Sequence, residues 1–360
     1  MKYSFLTALT VCLTYVCTAQ TNPKWARYPA ISPDGTTIAF TYKGNLFSVP
    51  AEGGVAKQLT YHSAHDFKAV WSKDGKKIAF ASNRYGNFDV YVMDAQGGEA
   101  VRLTYHSNDE TPYSFSADDS EVLFGANRLD IAEHRQYPTG SQPELYSVPV
   151  SGGRVGQVLT VPVEDAQVNT DGSKMVYHDK KGYEDTFRKH HTSAITRDIW
   201  SYDPSTGKHN QLTTFKGEDR NPVFSKDCSA IYYLSEQEGT FNVFSMSLTG
   251  APEIAAHTSF KTHPVRSLSI GDNTLAFGYD GEIYTLKAGE GAKKVEIIVR
   301  TQEDSNPIKY VSVNGGVQEM DVAPNGKEIA FISRGEVFVT SVDGSLTKRI
   351  TNTPEQERFV

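Results

Sequence analysis

Apolar and polar residues alternate along this chain in short runs, the period of strands with one buried face. The stretch VWSKDGKKIAFASNRYGNFDVYVMDAQGGEAVRLT, residues 70–104, shows the pattern most fully. It holds strand patterns at 77–82 and 89–93, turns at Asp74-Gly75 and Gly97-Gly98, and a short last strand ending in Leu103-Thr104. Such a run predicts one small antiparallel sheet.

The same pattern returns with an apolar anchor at Phe40, Phe80, Phe124, Tyr177, Tyr233, Phe277 and Phe331. The anchors lie about 40 to 56 residues apart, the period of four-stranded propeller blades. Before each anchor comes a turn of residues that tolerate positive φ: Asp34-Gly35, Asp74-Gly75, Asp118-Asp119, Asp171-Gly172, Asp227-Cys228, Gly271-Asp272 and Asn325-Gly326. The expected fold is therefore all-β, a β-propeller of four-stranded antiparallel blades. Counting copies alone gives one seven-bladed ring, within the usual range for closed propellers. A change of texture at residues 289–316, and a tail at 352–360 that begins another repeat, instead predict six blades and the start of a second propeller. The expected division is a signal peptide at 1–19, a six-bladed propeller at 20–290, a connecting segment at 291–316 and the first blade of a second, truncated propeller at 317–360.

Composition narrows the class. The 360 residues are 38% hydrophobic and 22% charged, with a formal net charge of -7. With no long basic run, this balance gives no support for nucleic acid as a partner. Lys2, the apolar run 5–17 and the small residues Thr18-Ala19 fit a cleavable secretory signal, which predicts a periplasmic or secreted protein with no membrane span after cleavage. A lipoprotein acylated at Cys17 fits less well, because Tyr15 and Val16 before it are bulky. Of three cysteines, only Cys228 lies beyond the signal, so no internal disulfide is expected in the mature chain.

Catalytic motifs are missing: no Gly-x-Ser-x-Gly elbow, no His-Glu-x-x-His, no phosphate-cradling loop and no paired-cysteine metal spacing. No cofactor is implied. Two Thr-Tyr-His-Ser copies, at 60–63 and 104–107, combine a hydroxyl with an imidazole, but their recurrence at one blade position points to connectors between blades. Trp71, Phe115 and Phe224 form a stripe of core aromatics. Two inserts between strands carry the candidate interaction residues. The first, 126–142, contains Arg128, His134 and Arg135; the second contains Tyr183, Arg188, Lys189, His190 and His191, followed by Arg197. Inserts of this kind lie on one rim, where binding loops concentrate. The residues leave three readings of the second insert open: a polar loop clamped by Arg188 or Arg197 against carboxylates, a peptide-binding loop, or a metal site using Glu184 and Asp185.

The repeats with Ser-Pro-Asp-Gly and Ile-Ala-Phe resemble the propeller repeat shared by TolB-like proteins, prolyl-oligopeptidase relatives and tricorn proteases. Three more specific segments, SNRYGNFDVYV at 82–92, RKHHTS at 188–193 with RDIW at 197–200, and GKEIAFISRGEV at 326–337, make the chain similar to the amino-terminal part of bacterial tricorn protease homologues. That resemblance implies a six-bladed propeller, a seven-bladed one, a PDZ module and a serine peptidase domain, with propellers gating peptide passage in homo-oligomers that assemble as hexamers. The sequence stops at about the first blade of the second propeller, so the expected role is non-catalytic, with peptides or unfolded polypeptides as partners. The alternatives are a stand-alone TolB-like interaction propeller and the propeller of a prolyl-oligopeptidase-like hydrolase.

Overall fold

The computed structural model describes residues 23–128, 142–183, 185, 188, 190, 192–287, 289–300, 315–353 and 355–360. Among these residues all regular structure is β, in seven sheets. Six of them fall in one compact unit ending at Arg300, and the seventh, at 317–349, in a second unit.

Each of the six is a meander of four strands in sequence order, over residues 27–58, 66–102, 110–159, 163–211, 219–256 and 266–294. The repeated anchors explain themselves in the register. Phe80 stands opposite Tyr91 of the next strand, with ring centroids 5.8 Å apart. The same pairing recurs as Phe40 with Phe47, Phe124 with Tyr146, Phe277 with Tyr284, and Phe331 with Phe338. Cross-strand aromatic pairs of this kind are the packing unit of a sheet, and the four pairs of the first unit lie in the cores between its neighbouring blades.

The turns carry their own chemistry. Ser72 Oγ donates to Asp74 Oδ1 (2.7 Å), which also accepts the Lys76 N–H (3.0 Å), while Ser72 Oγ accepts the Lys77 N–H (2.9 Å). Ser32-Asp34, Ser116-Asp118 and Ser225-Asp227 repeat the arrangement. The residue after each Asp has positive φ, even where it is Asp119 (59°) or Cys228 (57°). Asp119 then ties blades together, accepting the Lys73 N–H (2.6 Å) and the Asp74 N–H (2.9 Å).

The ring closes with six blades, not seven. Ile31 N–H donates to Ser269 Oγ (3.1 Å) and the Asp272 N–H to the Pro33 carbonyl (2.8 Å), joining the first blade to the sixth. Gly271 is required there, because a Cβ on it would lie 1.9 Å from the Ser32 carbonyl oxygen. The segment 291–316, expected as a connection, begins inside the ring. Lys293–Lys294 is the last strand of the sixth blade, and Ile297–Val299 adds in parallel to Gly54–Gln58 at the edge of the first. Val295, Ile297 and Val299 are buried with Phe47 and Ala56, so apolar burial drives this strand onto the first blade.

Candidate functional site

The first strand of every blade faces a central channel. Six equivalent positions line it, Tyr28, Lys68, Pro112, Asp165, Asn221 and Ser267, around a cavity of about 220 Å³. Five of these six first strands break register at this level. At five of the six positions φ lies between 50° and 57°. Pro112 is the exception, since its ring holds φ near -65°, and its strand shifts register at a different place. A β-bulge re-aims a side chain; here it lets side chains meet across the axis.

Lys68 Nζ donates to Asp165 Oδ1 at 2.9 Å, reaching from the second blade to the fourth. Asn221 Nδ2 donates to the other carboxylate oxygen from the fifth blade. Burial alone would raise the Asp165 carboxyl, but the Lys68 ammonium holds it below the usual range. Lys68 also lies 5.5 Å from the centre of the Tyr113 ring. Lys73 Nζ makes a second crossing, donating to the Val168 carbonyl at 3.0 Å.

Above the channel, where the inserts emerge, buried carboxylates meet arginines. Arg197 Nε donates to Glu164 Oε2 (3.1 Å) and its Nη1 to Glu218 Oε1 (3.0 Å). Arg188 donates to Glu218 Oε2 (2.5 Å) and Glu236 Oε2 (3.2 Å), so Glu218 is held from both sides. His190 Nδ1 lies 3.2 Å from the same Glu236 oxygen, and Arg220 Nη1 3.4 Å from Glu218 Oε1. Glu218 and Glu236 are fully buried. Burial pushes the Glu218 carboxyl up, yet Arg220, Arg197 and Arg188 together hold it below the ordinary range. Arg220 is pushed down to about 10 by its own burial. Among the described residues no three His, Cys, Asp or Glu side chains are gathered as a metal site.

The rim residues expected from sequence separate into groups. Arg188, His190 and Arg197 come together over Glu218, Glu236 and Glu164. Arg128 stands in the third blade, its Nε 2.5 Å from the buried Glu110, with Phe124 and Tyr146 beneath its guanidinium. Tyr183 is exposed and belongs to neither cluster. His134, Arg135, Lys189 and His191 lie outside the described residues. Sequence reasoning passed over the carboxylates. One signal for them exists: an acid five positions before the stripe aromatic, Asp66 before Trp71, Glu110 before Phe115 and Asp219 before Phe224, which puts it at the buried start of the first strand. Glu164 and Glu218 sit one residue off that spacing, and nothing marks Lys68, Asp165 or Asn221.

The two Thr-Tyr-His-Ser copies are connectors in detail. Thr60 and Thr104 accept the N–H of Leu46 and Val90, each at 2.9 Å, while His62 and His106 Nδ1 accept the N–H of Ala64 (3.0 Å) and Asn108 (3.1 Å). These imidazoles brace turns.

Residues 23–292 match the family described as the tricorn protease N-terminal beta propeller domain. The chain is 24% identical over 198 residues to a tricorn protease homolog of Saccharolobus solfataricus, an alignment covering 54% of this chain and 18% of that protein. It is 28% identical over 131 residues to the tricorn protease of Thermoplasma acidophilum, covering 36% of this chain and 12% of the other. The chain thus spans less than a fifth of the length of these curated relatives. The crystal structure of a tricorn protease superposes with a TM-score of 0.77 at 21% identity, over 92% of this chain and 32% of the other. TolB from Acinetobacter baumannii reaches 0.52 at 20% identity, over 69% and 57%. At these identities both show the fold alone. Six blades closed by a late strand on the first, together with a family match across nearly the whole ring, make this chain a member of the tricorn protease N-terminal β-propeller family.

Proposed function

We propose that this propeller is the non-catalytic, peptide-handling part of an exported tricorn-type serine peptidase that works as a homo-oligomer, in which it gates the passage of peptides. The observation that carries the reading is the channel crossing. Lys68, Asp165 and Asn221 obstruct the axis with side-chain tips, not backbone, and such tips move on far shorter timescales than a sheet unfolds. The clamp of Arg188 and Arg197 on Glu218 lies beside this passage. Export follows from the apolar run 5–17 behind Lys2.

The test uses the native protein, captured from the cell envelope with an antibody raised against this chain. A polypeptide severalfold longer than 360 residues that labels with a serine-directed fluorophosphonate is expected. Replacing Lys68 and Asp165 together by alanine in that protein should raise turnover of long peptides relative to short ones. A native chain of this length that does not label, or an unchanged length dependence, overturns the reading.

A further inference from the structure

At the seam between the first and sixth blades, on the rim that carries the inserts, lies a cleft of about 700 Å³. Trp25, Tyr28 and Tyr279 supply aromatic walls and Arg27 and Arg266 supply positive charge. Trp25 is 67% exposed and holds φ at 69°, a conformation that a bulky residue rarely adopts. Its neighbour fixes it there, since the Ala26 N–H donates to the Gly281 carbonyl at 3.1 Å. Backbone outliers of this kind cluster at active sites and ligand clamps. The Arg27 guanidinium stacks over the Trp25 ring at 4.8 Å and makes no ion pair among the described residues.

The acidic neighbour does not cancel this charge. Asp280 faces Lys24 (3.6 Å) and His263 (3.5 Å), and Lys24 reaches Glu282 as well (3.3 Å). Arg266 donates one N–H to the Arg188 carbonyl (3.2 Å) and lies within the field of Asp185 and Glu218. Arg27 is therefore the cation poised for a ligand, and Arg266 a second positive wall. Tyr28 and Ser267 line both this cleft and the central channel, so the cleft opens towards the channel mouth. The exposed aromatic side chains Tyr61, Tyr85, Tyr105 and Tyr183 lie in connections at the same end of the ring.

From this geometry we infer that the cleft binds peptide segments in which a carboxylate side chain neighbours an aromatic one, the carboxylate on Arg27 and the ring between Trp25 and Tyr279. The inference rests on the peptide-handling reading above and names the chemistry that this face selects. Charge-assisted bonds to guanidinium are the strong ones, and ring-on-ring contact supplies the apolar part.

The experiment is fluorescence anisotropy with the full 360-residue chain and a dye-labelled peptide blocked at both ends, acetyl-Ala-Asp-Phe-Ala-amide. Saturable binding is expected, weakened about tenfold when Asp is replaced by Asn in the peptide, and about tenfold by Arg27→Gln or Trp25→Ala, the scale of one charge-assisted hydrogen bond or one ring contact. Tyr61→Ala, on the same face but outside the cleft, should leave binding unchanged. Both cleft side chains are exposed, so unaltered thermal unfolding of the variants shows that the loss is local. Absence of saturable binding, equal affinity for the Asp and Asn peptides, or full binding by Arg27→Gln and Trp25→Ala together overturns the cleft. The last result would leave peptide handling standing and move it elsewhere on the ring.

Discussion

Lys68 and Asp165 are 97 residues apart in sequence and belong to blades that are not neighbours, yet their side chains meet at 2.9 Å across the channel. Both residues hold positive φ, 52° and 50°, where their strands break register. The contact depends on two bulges and on the ring diameter together. Lys68→Met and Asp165→Asn should each destabilise the propeller by about 1–3 kcal/mol, the cost of leaving a charged partner without its hydrogen bond. In urea denaturation the double variant should lose less than the sum, by more than about 0.5 kcal/mol. Strict additivity would mean that the pair contributes nothing as a pair.

Removing Arg197 is expected to be far more damaging than removing His190. Arg197 is buried and bridges Glu164 to Glu218, so Arg197→Met strips a cation from two carboxylates at once. Breaking a buried ion pair from one side costs about 3–5 kcal/mol. His190 is half exposed, and Glu236 keeps Arg188 as a partner without it. His190→Ala should therefore cost under about 1 kcal/mol, as exposed pairs do. Denaturant midpoints of the two variants decide the matter, and equal losses would contradict this division of labour.

Stability should carry a mark from Asp219. Burial pushes this carboxyl up to about 7, above the 3.8 of the unfolded chain. Between those values the folded state binds the extra proton, so this group's contribution is complete below pH about 4 and is lost as pH rises through 7. Asp219→Asn should flatten the stability profile between pH 4 and 7. The turn carboxylates act in the opposite sense. Asp74, held down to about 2 by the Lys76 N–H and the Ser72 hydroxyl, and Asp118 and Asp227, held by equivalent bonds, contribute above pH about 4 and lose that contribution as pH falls towards 2. Melting temperatures across this range, with and without the Asp219 change, test both signs. A wild-type profile that Asp219→Asn leaves unchanged would refute the first.

Closure of the ring should hang on Gly271. Gly271→Ala drives a methyl group into the Ser32 carbonyl and should cost about 1–3 kcal/mol, the usual penalty for overpacking. Gly291→Ala, which meets nothing within 4 Å, serves as the control and should be close to neutral. Thermal unfolding that does not separate the two would place the first–sixth seam outside the cooperative core.

The sequence by itself determined the repeat, because everything that defines a blade is local. Phe80 faces Tyr91 across a two-strand hairpin, Ser72 and Asp74 close their own turn, and Thr104 accepts the Val90 N–H of its own blade. Period and turn chemistry are readable wherever the partners lie within one blade. Tertiary structure decided between six blades and seven, since the seam rests on Gly271 meeting Ser32 and on Ile297–Val299 returning to Gly54–Gln58, contacts more than 230 residues apart. It likewise decided the site. Arg188 and Arg197 could be singled out as charged residues in an insert, but Glu164, Glu218 and Glu236 come from three different connections and strand starts, and Lys68 meets Asp165 only after two strands have bulged. A one-residue change of register alters which side chain faces the axis without altering the hydrophobic period much, so the channel's chemistry exists only once the blades stand in their ring.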